Sequence, residues 1–359
     1  MPTKDIGLAR PAVSVIIPAR NEEDCLSVCL QSLVSQKLVS QKLVSQKDVA
    51  FEIIVVDDHS TDHTREIATS FPGVRVIDAG PLPAGWTGKN NAVTAGAKAA
   101  SGEWLLFTDA DTIHLPGSLV RSVEEANRYG AALLSYSPEQ IVESFWEKAV
   151  MPLIFADLAA SYRPSQVSDP KSPAAAANGQ YILITREAYD AVGGHAAIAG
   201  NLLEDVALAR AVKRSGRKIF FRYGGDAVRT RMYRSFAQLR EGWTKNLALL
   251  FPSPARLAAL RAIEFILIVA SFAIAAAGLI SGRSQSALVT AILAAIVYVL
   301  FLSRIRRAHF RWDANILALF GLPLFSYLLL RSLRAHANGS VSWKGREYSD
   351  ERGLLATSY

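Results

Sequence analysis

Cysteine is nearly missing: Cys25 and Cys29 are the only two in 359 residues. They stand four apart in a predicted helix, which excludes a disulfide framework and reads as buried free thiols in a reducing compartment. Two phosphate-binding signatures are also missing. No Gly-x-Gly-x-x-Gly follows the first strand, and Gly88-Lys89 is not preceded or followed by the rest of a Walker A loop. A dinucleotide site and a P-loop are therefore not expected. Met1-Pro-Thr-Lys-Asp5 contains no apolar core, so no signal peptide is expected there. The net charge of +7 lacks a basic stripe with interleaved aromatics in the first 250 residues, which argues against nucleic acid. The last absence is charge itself: residues 265–282, 284–303 and 314–330 carry no Asp, Glu, Lys or Arg.

Those three stretches are each near the length that spans a bilayer. Much of the basic excess flanks them, which favours a membrane surface with anionic lipid. The connector after the first carries Arg283, and the one after the second carries Arg304, Arg306, Arg307 and Arg311. The positive-inside rule puts the second connector in the cytoplasm, with the N-terminal region. The tail conflicts with three crossings, because Arg331, Arg334, Lys344 and Arg346 would then lie outside. Gly321-Leu-Pro323 interrupts the third stretch. The expectation is two crossings plus a re-entrant or interfacial segment. Hydropathy thus divides the chain into residues 1–255, 256–335 and a basic tail 336–359. The first of these faces the cytoplasm from a bacterial-type inner membrane.

Residues 1–255 read as alternating strands and helices, an α/β pattern. Val13–Pro18 is a buried strand, followed by the turn Ala19-Arg20-Asn21-Glu22-Glu23. That turn's amides suit a base or ribose, or simple helix capping. Leu33-Val-Ser-Gln-Lys37 recurs at 38–42 and 43–47. Successive five-residue copies rotate by about 140° around a helix, so their leucines form no single stripe. The repeat reads as a tandem expansion of a helix or loop.

Phe51–Val56 is a second strand, ending in Asp57-Asp58, and His59–Asp62 caps the next helix. An acid there can accept hydrogen bonds from a ribose or a uracil N–H, or act as an N-cap. Val74–Asp78 is a third strand. The turn-rich Pro81–Asn91 leads into a helix over Ala92–Ala100, with Lys89 beside glycine able to reach a diphosphate. Leu105–Thr108 then ends in Asp109-Ala-Asp111. Two hard oxygen ligands at a strand's carboxyl end suit Mg²⁺ or Mn²⁺ carrying phosphate oxygens, although an Asx turn has the same pattern.

Phe145–Tyr162 fits either a core helix or an interfacial one. Arg163–Pro173 reads as a mobile loop, Asn178–Ile184 as a strand, and His195 as a turn residue. Glu204-Asp205 opens a helix that runs to Ser215, where acids complement the dipole. Arg229, Arg231, Tyr233 and Arg240-Glu-Gly-Trp243-Thr-Lys245 add cations and an aromatic near the apolar region.

Asp57-Asp58, Asp109-Ala-Asp111 and Glu204-Asp205 in this order, with Pro18–Glu22, Gly88-Lys89 and Asn178-Gly179, resemble the inverting family 2 glycosyltransferases of the GT-A fold. Gly85–Lys89, Arg231–Tyr233, Glu241–Lys245 and Trp343–Tyr348 further resemble the membrane-bound carotenoid (diaponeurosporenoate) and hopanoid-associated glycosyltransferases. The resemblance implies that Pro18, Ala19, Glu22, Asp57 and Lys89 hold a nucleotide sugar. It gives Asp109 the ribose or metal-bound phosphate, Asp111 the metal (Mg²⁺ or Mn²⁺), and Asp205 the role of base. Glu204, Arg240, Trp243 and Lys245 fall on the acceptor or phosphate side. The expected reaction moves one hexose, glucose from UDP-glucose, to an apolar lipid. A polyprenyl phosphate acceptor, bound by Arg229, Arg231 and Arg240, is the alternative, as is an inactive membrane scaffold. Processive relatives carry Gln/Arg-x-x-Arg-Trp, whereas Gly242 precedes Trp243 here, which argues against a polymer-extruding synthase.

Overall fold

The computed structural model describes residues 12–40, 49–282 and 284–348. The first residues, most of the second and third pentapeptide copies and the end of the tail lie outside the described residues. The chain forms two compact units. One runs up to Glu139 and resumes over Pro164–Thr230; the other comprises Gln140–Arg163 and everything from Arg231 onward. Hydropathy drew its boundary at 255 instead. Contacts group Gln140–Arg163 and 231–255 with the apolar helices because Val150, Leu153, Leu239, Trp243 and Leu247 share one buried cluster with Phe325 and Leu328.

The first unit carries β1 (Val13–Ala19), β2 (Phe51–Asp57), β3 (Val74–Asp78), β4 (Trp104–Phe107), β5 (Thr112–His114), β6 (Leu133–Ser137), β7 (Glu139–Gln140), β8 (Ile182–Thr185), β9 (Ile219–Tyr223) and β10 (Val228–Thr230). Seven of them form one sheet in the order β3-β2-β1-β4-β8-β6-β9. β1 pairs in parallel with β2 (Ala19 beside Asp57) and with β4 (Ile16 beside Phe107). β2 likewise sets Asp57 beside Asp78 on β3. Continuous apolar runs are what strands covered on both faces require, and Val13, Val15, Ile16 and Ile17 are fully buried. β8 runs the other way, pairing Ile182 with Phe107. The residues before β8 therefore emerge at the edge where β1, β2 and β4 end.

The helix Gly88–Ala99 lies over β1 and β2. At Gly96 a Cβ would come within 2.4 Å of the Ile16 side chain, so glycine permits this close approach. The helix starts four residues before the expected Ala92, because the Thr87 hydroxyl caps it by accepting from the Asn90 amide. Lys89 thus sits in its first turn. Arg163–Pro173, expected as a loop, contains the short helix Pro164–Ser168. Buried Val167 holds it, and Ser168 Oγ accepts from the Phe221 amide at 3.1 Å.

The second unit is helical: Phe145–Ser161, Phe236–Leu250, Pro254–Ile280, Ser284–Ile305 and Trp312–Ala337, followed by the hairpin Val341–Trp343 and Arg346–Tyr348. Ser144 and Glu147 form a capping box on the first of these. Three of the helices are long and apolar enough to cross a membrane. Gly242 has a steric reason: a Cβ there would lie 2.5 Å from the Tyr233 ring, leaving no room for the arginine of the processive pattern.

Candidate active site

The site grows from the common edge of β1, β2, β4 and β8. After β4 the chain turns sharply: the Thr108 amide donates to Ile16 O at 3.1 Å and the Thr112 amide returns to Asp109 O at 3.2 Å. Thr108 Oγ1 donates to Gln180 O at 2.8 Å, tying the Asp-x-Asp turn to the segment before β8. Buried His114, its pKa lowered to about 3 by desolvation, stays neutral and packs 3.2 Å from Thr108 Oγ1. Cys29 lies beneath the turn, 3.8 Å from Asp109 O. Burial, then the carboxylates of Asp111 and Asp109, drive its thiol pKa up, so it remains a thiol.

Lys89 binds two acids at once: its Nζ is 2.7 Å from Asp109 Oδ1 and 2.7 Å from Glu204 Oε1. The loop before Glu204 is held to the start of the Lys89 helix. Asn90 Nδ2 donates to Ala199 O at 2.8 Å and to Asn201 O at 3.1 Å, and the Thr87 amide donates to Ala199 O at 2.9 Å. Desolvation works against the Lys89 charge, but Asp109 and Glu204 outweigh it and raise its pKa well above the usual value.

Asp205 stands beside this cluster at the N-terminus of the helix Glu204–Arg214. Its Oδ2 accepts from the Gly179 amide at 3.0 Å and its Oδ1 from the Val206 amide at 2.7 Å. Burial and the Glu204 charge push its pKa up to about 6, opposed by Lys89 and the two N–H donors. Gly179 leaves no spare room, since a Cβ would meet Lys89 Nζ at 3.0 Å and Glu204 Oε1 at 3.3 Å.

A second group lies at the ends of β1 and β2. Asp57 Oδ1 accepts from the Ser60 amide at 3.1 Å, and its Oδ2 is 3.3 Å from Arg65 Nη1, which also meets Asp78 at 2.6 Å. The Asp58 amide donates to Ala19 O at 2.8 Å, and the Glu22 amide to Thr64 Oγ1 at 2.8 Å. Pro18, Ala19, Glu22 and Asp57 therefore share one loop-lined corner. Sequence reasoning missed Arg65 and the Gly179 amide. Nothing in the pattern marks Arg65, and Gly179 was visible only through its resemblance to a family segment.

Among the described residues no three His, Cys, Asp or Glu side chains gather into a metal-binding group. The turn after β4 carries Asp109 and Asp111, and Mg²⁺ and Mn²⁺ bind through one or two carboxylates plus substrate phosphates. In the helical unit, Trp243 is 2% exposed, with its ring N–H directed at Met151 Sδ, 3.4 Å away. It packs in the core of that unit. Arg240 lies over the Phe236 ring and Lys245 over the Trp343 ring.

The pattern of glycosyl transferase family 2 matches residues 14–193. The chain belongs to that family. A 4,4'-diaponeurosporenoate glycosyltransferase of Staphylococcus aureus (strain N315) is 30% identical over 252 residues, 68% of this chain and 63% of that protein. The match therefore spans less than two thirds of that relative's length. The same-named protein of strain MRSA252 is 28% identical over 96% of this chain and 90% of its own. A mannosyltransferase from Pyrobaculum calidifontis, solved with GDP-Man and Mn²⁺, superposes with a TM-score of 0.51 at 17% identity, covering 91% of this chain and 87% of that one. That likeness concerns the fold, and the mostly parallel sheet of the family 2 unit is the expected GT-A arrangement.

Proposed function

We propose that this chain transfers one hexose from a nucleotide sugar, UDP-glucose first among the candidates, to the polar end of an apolar lipid such as a carotenoid or hopanoid, with inversion. The observation that carries the reading is Lys89 held between Asp109 and Glu204 beside Asp205, at the carboxyl edge of the sheet. Ligands bind at that edge in open α/β sheets. The corner at Pro18, Ala19, Glu22 and Asp57 takes the nucleoside. Asp109 serves the ribose or phosphate side, and Lys89 offsets charge on the departing diphosphate.

Asp111 would hold the divalent ion, whose chemistry is to neutralise charge on the leaving diphosphate. Asp205 takes the proton of the acceptor hydroxyl as that oxygen bonds to the anomeric carbon. The bond to the diphosphate breaks in the same displacement, and the nucleoside diphosphate leaves with the electron pair. The acceptor class follows the names of the S. aureus relatives, the apolar helices support a membrane location, and Arg304, Arg306, Arg307 and Arg311 support a cytoplasmic family 2 unit.

The polyprenyl phosphate reading gains no support. Arg229 is engaged by Glu139 at 2.6 Å, and Arg231 by Glu143 and by Glu147 at 3.0 Å. The test supplies membranes containing the chain with radiolabelled UDP-glucose and, separately, GDP-mannose, and separates the lipid classes. Label should enter an apolar lipid and, where that lipid is an alcohol, be lost with Asp205→Asn. Label found only in polyprenyl phosphate, or in no lipid with either donor, would refute the proposal.

A further inference from the structure

Trp312–Ala337 is a 26-residue helix, long enough to cross a bilayer, yet it is surrounded differently from the other two candidates. Of its apolar window 44% is buried by protein, against 11% and 17% for Pro254–Ile280 and Gln285–Ala308. What remains open is one apolar stripe of Trp312, Ile316, Phe320, Tyr327 and Leu330. Its residues recur at helical spacing, so they share one face.

Both ends of this helix are tied to the same end of the hairpin made by Pro254–Ile280 and Ser284–Ile305. At the start, Arg304 bonds Asp157 at 3.0 Å and Glu264 at 2.8 Å, and Arg261 bonds Asp157 at 2.7 Å. Arg261 and Glu264 belong to the first three turns after Pro254, so Arg304 closes the hairpin at its Pro254 end. Residues 305–311 alone separate Arg304 from Trp312, at most about 25 Å of extended chain. Part of that reach is lost in the turn Arg306–Ala308. At the other end the Ala248 amide donates to Ser332 Oγ at 2.8 Å, Ser332 Oγ donates to Thr244 O at 2.6 Å, and His336 Nε2 lies 2.8 Å from Lys245 O. The helix holding those groups ends at Leu250 and leads directly into Pro254. Midway, Ser326 Oγ donates to Ala258 O at 3.0 Å.

We infer that Trp312–Ala337 does not cross the bilayer but lies within one leaflet, its stripe among the acyl chains and Arg311 and Arg334 at the headgroups. This rests on the reading that the hairpin spans a membrane. The hairpin helices also expose apolar side chains, among them Leu267, Ile274 and Leu293, and the cations at the two ends of the stripe suit the anionic face of a bilayer. The chain then crosses twice. The Val341–Tyr348 hairpin, with Lys344 and Arg346, lies on the Pro254 side, and the charge conflict of the tail disappears.

The test places a single added cysteine in the full chain at Ser253, Ser281 or Ser342, all exposed. The native chain, whose Cys25 and Cys29 are buried, supplies the background. A membrane-impermeant maleimide is applied to inside-out and right-side-out vesicles. Ser253→Cys and Ser342→Cys should react in one orientation and Ser281→Cys in the other. Reaction of Ser342→Cys together with Ser281→Cys would overturn the one-leaflet helix while leaving the hairpin intact. Reaction of Ser253→Cys with Ser281→Cys would instead overturn the spanning hairpin, and the inference with it. A bimane on Phe320→Cys should be quenched by lipids brominated in their acyl chains. An unquenched probe would mean that a protein partner, including a second copy, covers the stripe.

Discussion

Replacing Asp205 by asparagine tests the proposed chemistry most directly. The carboxylate already accepts two backbone N–H bonds, from Gly179 and Val206, and titrates at about 6. At pH 7.5 it is therefore more than nine-tenths ionised and able to take a proton, whereas at pH 5 only about one tenth is. A positioned base contributes roughly 10²–10⁴ in rate. Transfer to a lipid alcohol should fall by about that factor in Asp205→Asn. In the native chain it should fall about ten-fold between pH 7.5 and pH 5. A lipid carboxylic acid is already ionised at pH 7.5, so its glycosylation should drop less than about ten-fold. The assay is initial-rate transfer from labelled nucleotide sugar to paired alcohol and acid acceptors across pH 5–8.

Thermal unfolding supplies the control. Because the folded carboxyl titrates near 6 and the unfolded one near about 4, the native state binds the extra proton between those values. Stability contributed by this group thus declines as pH rises through that window. Asparagine removes that penalty, so the variant's midpoint at pH 7.5 should not collapse. An alcohol acceptor glycosylated at the native rate by a folded Asp205→Asn would refute the assignment of the base.

Lys89→Met leaves Asp109 and Glu204 without their shared cation; the donor KM should rise at least about ten-fold. The acid limb of the rate profile should move above its native position, since Lys89 holds the Asp205 pKa down. Glu204→Gln should move the same limb the opposite way, because Glu204 raises that pKa; pH–rate profiles of the two variants check the signs. Gly179→Ala brings a methyl to 3.0 Å from the Lys89 ammonium, a flexible end. The fold should survive while kcat/KM falls by up to about 10-fold, because the Lys89 ammonium must give by a few tenths of an ångström. In Asp111→Ala, divalent-ion stimulation of transfer should be lost; full metal-dependent activity would remove Asp111 as the ligand.

Much of this was legible in the sequence because buried parallel strands have a plain signature. Val13–Ala19, Phe51–Asp57 and Trp104–Phe107 are largely apolar runs that lead into polar residues (Arg20, Asp57-Asp58 and Thr108-Asp109), and register then brings those endings together. Glu204-Asp205 was legible as a helix start, though its distance from Lys89 was not. That contact depends on Asn90 gripping the carbonyls of Ala199 and Asn201, more than 100 residues away. The direction of β8 was hidden too, since a strand of four residues carries no mark of its polarity. Hydropathy also put Phe236–Leu250 with the sheet. Its buried residues, Leu239, Trp243 and Leu247, are spaced for one face of a helix, and only contacts reveal which partner they meet.

The alternation of the chain between its units, at Glu139, Arg163 and Thr230, has a practical consequence for anyone cutting it. A truncation after Thr230 would retain Phe145–Ser161 but strip it of Trp243, Leu247, Phe325 and Leu328, exposing Val150, Leu153 and Ile154. Such a fragment would aggregate through that helix even with the sheet intact. The piece suited to work in water excises the helix as well, joining Glu139 to Pro164 through a polar linker. Solubility is then decided by a deletion in the middle of the chain as well as by the cut at its end.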